Sequence, residues 1–206
     1  SLVGGLYSFV LIIAGSFGTT VAFKSGYLIG KKNEESAFDF WKKTRRKLLL
    51  ISAFLGVVWI GLAPFLTDFF NERSIYPFIL FAPILFVSLA YASDRGFLSS
   101  KLGFGLLAIL VIFEPALKLI SSVSLVQLNL SSWAYAAIPL SVSIAFILAW
   151  IFARLGKKIP DQNHNKNDKK FPKRFLFVAF ISGVSTLILL NLDVVLAKHY
   201  LSPTDA

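Results

Sequence analysis

The chain contains no cysteine, so a disulfide framework, a thiolate metal site and a cysteine nucleophile are all excluded. It has two histidines, His164 and His199, and no HExxH or other metal-ligand spacing. No GxxxxGK[ST] phosphate loop is present, so nothing in the sequence points to nucleotide hydrolysis. Charge is scarce as well. Only 16% of the 206 residues are charged, against about 25% in a soluble domain. Methionine is also absent and the chain begins at Ser1, which we read as part of a longer protein.

Apolar residues are abundant, at 56% with a mean hydropathy of +0.71. Disorder and a collagen-like repeat are excluded, and an all-α membrane protein is expected. A spanning helix needs about 20 mostly apolar residues. Six stretches qualify, at roughly 2–23, 48–67, 76–93, 102–123, 132–153 and 175–197. No charged n-region precedes the first, so it does not read as a cleavable signal peptide. The 21 phenylalanines spread over nearly all the stretches and read as packing and lipid-facing surface.

Positive residues collect in short cytoplasmic loops. The junction after the first stretch holds eight Lys or Arg between Lys24 and Lys47. The loop after the third holds Arg95 and Lys101, and the loop after the fifth holds eight between Arg154 and Arg174. The opposite side has only Arg73 and Lys198, while Lys118 falls inside a stretch. Six spans with both chain ends outside follow from this asymmetry. The net charge of +10 is mostly this bias, which argues against a nucleic-acid partner.

Within the first basic junction, Glu34 and Glu35 precede Phe38, Trp41 and the Lys42–Lys47 cluster. That order predicts a short amphipathic helix lying at the cytoplasmic surface. Ser93-Asp94-Arg95-Gly96 opens the loop between the third and fourth stretches, the one that holds Arg95 and Lys101. Residues 156–174 read as a cytoplasmic basic linker, with His164 solvated. Asn129-Leu-Ser131 forms an N-glycosylation sequon on an external connection.

Charge inside a spanning stretch is costly and draws attention to two places. Glu114 and Lys118 sit at i, i+4 on one helix face, with Pro115 weakening the helix between them. They read either as a self-neutralising pair that locks a kink or as the lining of a polar cavity. In the sixth stretch Asp193 shares one stripe with Thr186 and Ser182, and Asn191 is nearby. Asp193 reads either as an interfacial carboxylate paired with Lys198 or a neighbouring polar residue, or as a cavity carboxylate for ion coupling or substrate passage. The small residues of the first stretch, among them Gly4, Gly5, Ala14, Gly15, Ser16 and Gly18, suit close helix packing, or a helix that bends.

The run Asn191-Leu-Asp-Val-Val-Leu-Ala-Lys-His-Tyr-Leu-Ser-Pro-Thr-Asp-Ala206 resembles the seventh-helix signature of polysaccharide biosynthesis flippases. These belong to the multidrug/oligosaccharidyl-lipid/polysaccharide exporter superfamily. Gly5-Leu6-Tyr7, the basic loop ending in Lys47 and the polar linker before the last stretch match that family's layout. The resemblance implies that the chain covers helices two to seven of a two-lobe transporter. Residues 1–155 would then hold most of the first lobe, 156–174 the linker, and 175–206 the first helix of the second lobe. It further implies flipping of polyprenyl-pyrophosphate-linked oligosaccharide for cell-surface polysaccharide such as O-antigen. The setting would be the inner membrane and the driving force an H+ or Na+ gradient, with membrane lipid as the other partner. No cofactor is expected, and the protein would be a transporter rather than an enzyme. Asp193 matches a motif position of the family, whereas Glu114 and Lys118 do not. Export of another cargo, such as a drug or ion, is an alternative. A multi-span glycan polymerase is another, although the short external connections around Asn71–Ser74 and Gln127–Ser131 leave little room for a catalytic constellation.

Overall fold

The computed structural model describes residues 2–69, 75–128, 136–155 and 171–200; for 2–9, 187 and 189–200 it describes the helical backbone alone. The external connections, the 156–170 linker with His164, the sequon and Ser202–Ala206 lie outside the described residues. Among the described residues there are six helices and no strand: α1 Leu2–Gly30, α2 Glu34–Phe69, α3 Tyr76–Ser100, α4 Phe104–Gln127, α5 Ala137–Leu155 and α6 Lys173–Tyr200. Each expected apolar stretch falls on its own helix. Across their described residues, α2, α3, α4 and α5 are long and apolar enough to cross a membrane. Their outer surfaces agree with a lipid setting. Phe54, Phe65, Ile112, Leu119 and Ile120 are all more than half exposed, a surface that water would not tolerate over such an area.

Three hydroxyls of α1 are satisfied within its own turns. Ser16 donates to the Ile12 carbonyl (2.9 Å), Thr19 to Gly15 (3.0 Å) and Thr20 to Ser16 (2.7 Å). This lets polar side chains sit at membrane depth without a water partner. The chain turns through Lys32 at φ 57. Asn33 then caps α2 by accepting the Ser36 N–H at 3.1 Å, and Glu34 and Glu35 occupy the first turn, where the helix dipole favours them.

The amphipathic segment is not a separate surface helix. It is the first part of α2, whose 36 residues measure about 54 Å at 1.5 Å each. No helix breaker separates Lys47 from Leu48, and Lys, Arg and Leu all favour helix. Phe40 and Trp41 are buried, and Trp41 stacks on Phe97 of α3 at 4.9 Å and 13°. A second correction concerns Ser93–Gly96. These residues do not open a loop; α3 runs through them to Ser100, and the chain reverses at Lys101–Gly103. The helix continues because Asp94 finds its partners on a neighbouring helix and Gly96 fits against a neighbouring backbone.

Helix α3 is the hub, packed by α1, α2, α4 and α5, whereas α6 rests on α1. The α1–α3 crossing is a backbone contact. A Cβ on Gly18 would lie 2.8 Å from the Ala92 carbonyl oxygen, and one on Gly96 would overlap the Gly18 backbone. Gly18 therefore serves close packing. Gly15 does not, since a Cβ there would meet nothing within 4 Å. Helix α5 presents Ala137, Ser141, Ala145, Ala149 and Ala153 at a strict spacing of four, all buried, which gives close approach along its length.

Candidate functional site

Between α1, α3, α4 and α5 lies a cleft of about 510 Å³. Ala14, Gly15, Gly18 and Thr19 of α1 form one wall, and Leu107, Val111 and Val142 close the far side. Gly15 keeps the α1 wall open because no side chain projects there. Helix α3 supplies Ser88, Tyr91, Arg95 and Ser99. These follow an i, i+3, i+7, i+11 progression and so share one helix face. The wall is mainly apolar, with a hydroxyl and a cation at its centre.

That centre is ordered by a chain of contacts. The Arg95 guanidinium carbon lies 5.6 Å from the centroid of the Tyr91 ring, within cation–π range. Tyr91 is 7% exposed, and its hydroxyl donates to Glu114 Oε2 at 2.6 Å. A short O–H to carboxylate bond is the strong, charge-assisted kind. Glu114 is thus tied to α3 as well as placed beside Lys118 on its own helix. Lys118 is exposed on α4 and does not line the cleft, and α4 continues through Pro115. Of the two sites expected from sequence, the Glu114 region adjoins the cleft through Tyr91.

The α6 stripe stands apart. Ser182 and Thr186 are exposed, and the Thr186 hydroxyl donates to the Ser182 carbonyl at 2.9 Å. Asn191 and Asp193 lie on the α6 backbone, but their side chains are outside the described residues. Among the described residues, α6 packs on α1 and not on α4, so the two expected sets are not brought together.

Sequence reasoning counted Arg95 as a loop charge and passed over Tyr91. The signal available was the i, i+4 pair of an aromatic and an arginine at the end of an apolar stretch. That reasoning placed Asp94 in the same loop, whereas its side chain is fully buried on α3. Asp94 Oδ1 accepts the Trp41 indole N–H at 2.9 Å, and Arg45 Nε donates to Oδ1 and Oδ2 at 3.0 and 3.1 Å. The Arg45 guanidinium also lies 5.2 Å from the Phe146 ring and 5.3 Å from Trp150. This node joins α2, α3 and α5 on the side of α3 away from the cleft. Nearby, burial holds the Lys101 ammonium below the ordinary lysine range, with Glu34 opposing that shift. No cluster of metal-ligating side chains occurs among the described residues. Set against protein-family profiles, curated proteins and solved structures, the chain matches none.

Proposed function

We propose that the protein moves a polyprenyl-pyrophosphate-linked oligosaccharide across the inner membrane by alternating access, for cell-surface polysaccharide export. The observation that carries this reading is the cleft of four helices with Arg95 and Tyr91 set among apolar walls. An anionic head on a long apolar tail matches that chemistry: the arginine fits phosphate oxygens and the walls fit the tail. The resemblance of residues 191–206 to flippases and the alternation of basic loops over six spans support the same reading. Asp193 is the carboxylate that binds the coupling H+ or Na+, with Asn191, Thr186 and Ser182 along its stripe.

The test is surface glycan level in cells, normalised to the amount of protein in the membrane. Arg95→Gln removes the cation and Asp193→Asn removes the titratable group, each with little change in size. Both variants are expected to accumulate normally and lose export by at least roughly tenfold, the factor that 1.4 kcal/mol supplies. Wild-type export by both variants overturns the proposal. The cleft volume of about 510 Å³, inside the roughly 300–1,000 Å³ of small-molecule sites, favours a second reading, export of a smaller anionic amphiphile. Under that reading, the variants lower efflux of an anionic amphiphilic dye and leave surface glycan unchanged.

A further inference from the structure

Helix α2 distributes its cations over different faces. Arg45 turns inward to Asp94. Lys43, Arg46 and Lys47 instead border a separate groove of about 580 Å³, which shares no lining residue with the cleft. The groove floor is aromatic and aliphatic: Phe17, Phe40, Leu48, Ile51 and Phe171. The Phe171 ring lies 6.3 Å from Phe17 and 6.2 Å from Phe40, centroid to centroid, so α1, α2 and the segment leading into α6 meet there. The three cations are exposed, whereas Phe40, Thr44 and Leu48 are buried.

The groove crosses a sharp change in composition. Residues 34–47 of α2 carry all its charge but Asp68, and none of residues 48–67 is charged. Lys47 and Leu48 therefore mark the height at which the helix passes from the headgroup layer into hydrocarbon. A ligand lying along the groove meets three cations at its polar end and Leu48, Ile51 and Phe17 at its apolar end. Basic pockets between spanning helices at this level recognise anionic lipid heads.

We propose that this groove is a binding site for an anionic glycerophospholipid of the leaflet on the basic side of the bilayer. Its phosphate sits among Lys43, Arg46 and Lys47, and one acyl chain lies over Leu48, Ile51 and Phe17. Arg46 offers the planar fork that suits phosphate oxygens, and the two lysines add point charges. The site is independent of the proposed cargo, because it lies outside the cleft and opens beside α2, α1 and the start of α6.

The test is native mass spectrometry of the chain purified in micelles containing equal phosphatidylglycerol and phosphatidylcholine. Wild type is expected to retain phosphatidylglycerol at least roughly tenfold over phosphatidylcholine, well within what three cations near a surface supply. Lys43→Gln/Arg46→Gln/Lys47→Gln is expected to bring that preference to within roughly twofold. A control of equal charge loss, Lys24→Gln/Lys31→Gln/Lys32→Gln, keeps it. The charge-preserving Lys43→Arg/Lys47→Arg variant keeps it as well. Equal retention of the two lipids by wild type overturns the proposal, whatever the folding of the variants. An equal loss in the control overturns it in favour of a diffuse surface field. Displacement of the lipid by millimolar inorganic phosphate overturns it in favour of a free-phosphate site. Displacement by a stoichiometric amount of polyprenyl phosphate reassigns the groove to the carrier lipid and likewise overturns it.

Discussion

Asp94 and Glu114 are two carboxylates on neighbouring apolar helices, and the protein treats them differently. Asp94 is sealed. Its side chain has no exposure, and Trp41 and Arg45 of α2 both donate to it. Aromatic rings of α5 cover the guanidinium from the other side. Glu114 is part-buried and receives the Tyr91 hydroxyl beside an open cleft. A charge taken wholly out of solvent needs a full set of donors or it destabilises the fold. A charge at the edge of a cleft needs only to be positioned. The first arrangement therefore holds three helices in register, and the second fixes Glu114 beside the cleft.

The sharpest way to break this comparison is to remove Asp94. Asp94→Ala leaves Arg45 largely enclosed without its carboxylate. The expected cost is about 3–5 kcal/mol, the usual penalty for breaking a buried pair from one side. Arg45→Ala/Asp94→Ala is expected to lose less than Asp94→Ala alone. Reversible unfolding in mixed micelles measures both, and a loss under about 1 kcal/mol for Asp94→Ala would reduce the node to an ordinary surface pair.

A middle-sized effect is expected where α3 leans on α1. Gly96→Ala pushes a methyl group into the Gly18 backbone, and the two helices must separate to admit it. Overpacking of this kind costs about 1–3 kcal/mol. The same unfolding assay reads it, and an unchanged midpoint would mean that the crossing is not held at backbone contact.

The smallest effect is expected at the cleft. Tyr91→Phe removes the donor to Glu114 and keeps the ring beneath Arg95. A hydrogen bond to a charged group contributes about 1.5–3 kcal/mol, and a part-exposed carboxylate recovers some of it from water, which leaves about 1 kcal/mol. Stability should therefore fall only slightly, while binding of an anionic amphiphile, followed by fluorescence titration, weakens. A stability loss as large as that of Asp94→Ala would make the two carboxylates equivalent and end the distinction between them.

The helices themselves were legible from composition. Long apolar stretches in a charge-poor chain have few stable forms, and each expected stretch lies on its own helix. The ends were less legible. Ser93-Asp94-Arg95-Gly96 has the residues of a turn, and only the meeting of Asp94 with Arg45, 49 positions away, makes it helix. Phe38 and Trp41 show the pattern of a surface-lying helix, yet Trp41 finds Phe97 across 56 positions and is buried. For the site, Glu114 drew attention because charge is rare at that depth. Its partner Tyr91 did not, because its i, i+4 relation to Arg95 counts only once Arg95 is known to lie on the helix rather than in a loop.

Hydropathy and the placement of lysine and arginine act through the bilayer, which responds to each segment almost independently. For that reason sequence alone determined that this is a helical membrane protein and which apolar stretch each helix carries. Which charge is buried and which faces a cleft depends on contacts between residues dozens of positions apart. Arg45 and Lys47 stand two residues apart on α2, yet one closes a salt bridge with Asp94 while the other borders an open groove. The helical rotation of about 100° per residue separates them, but only the position of α3 gives each rotation its meaning.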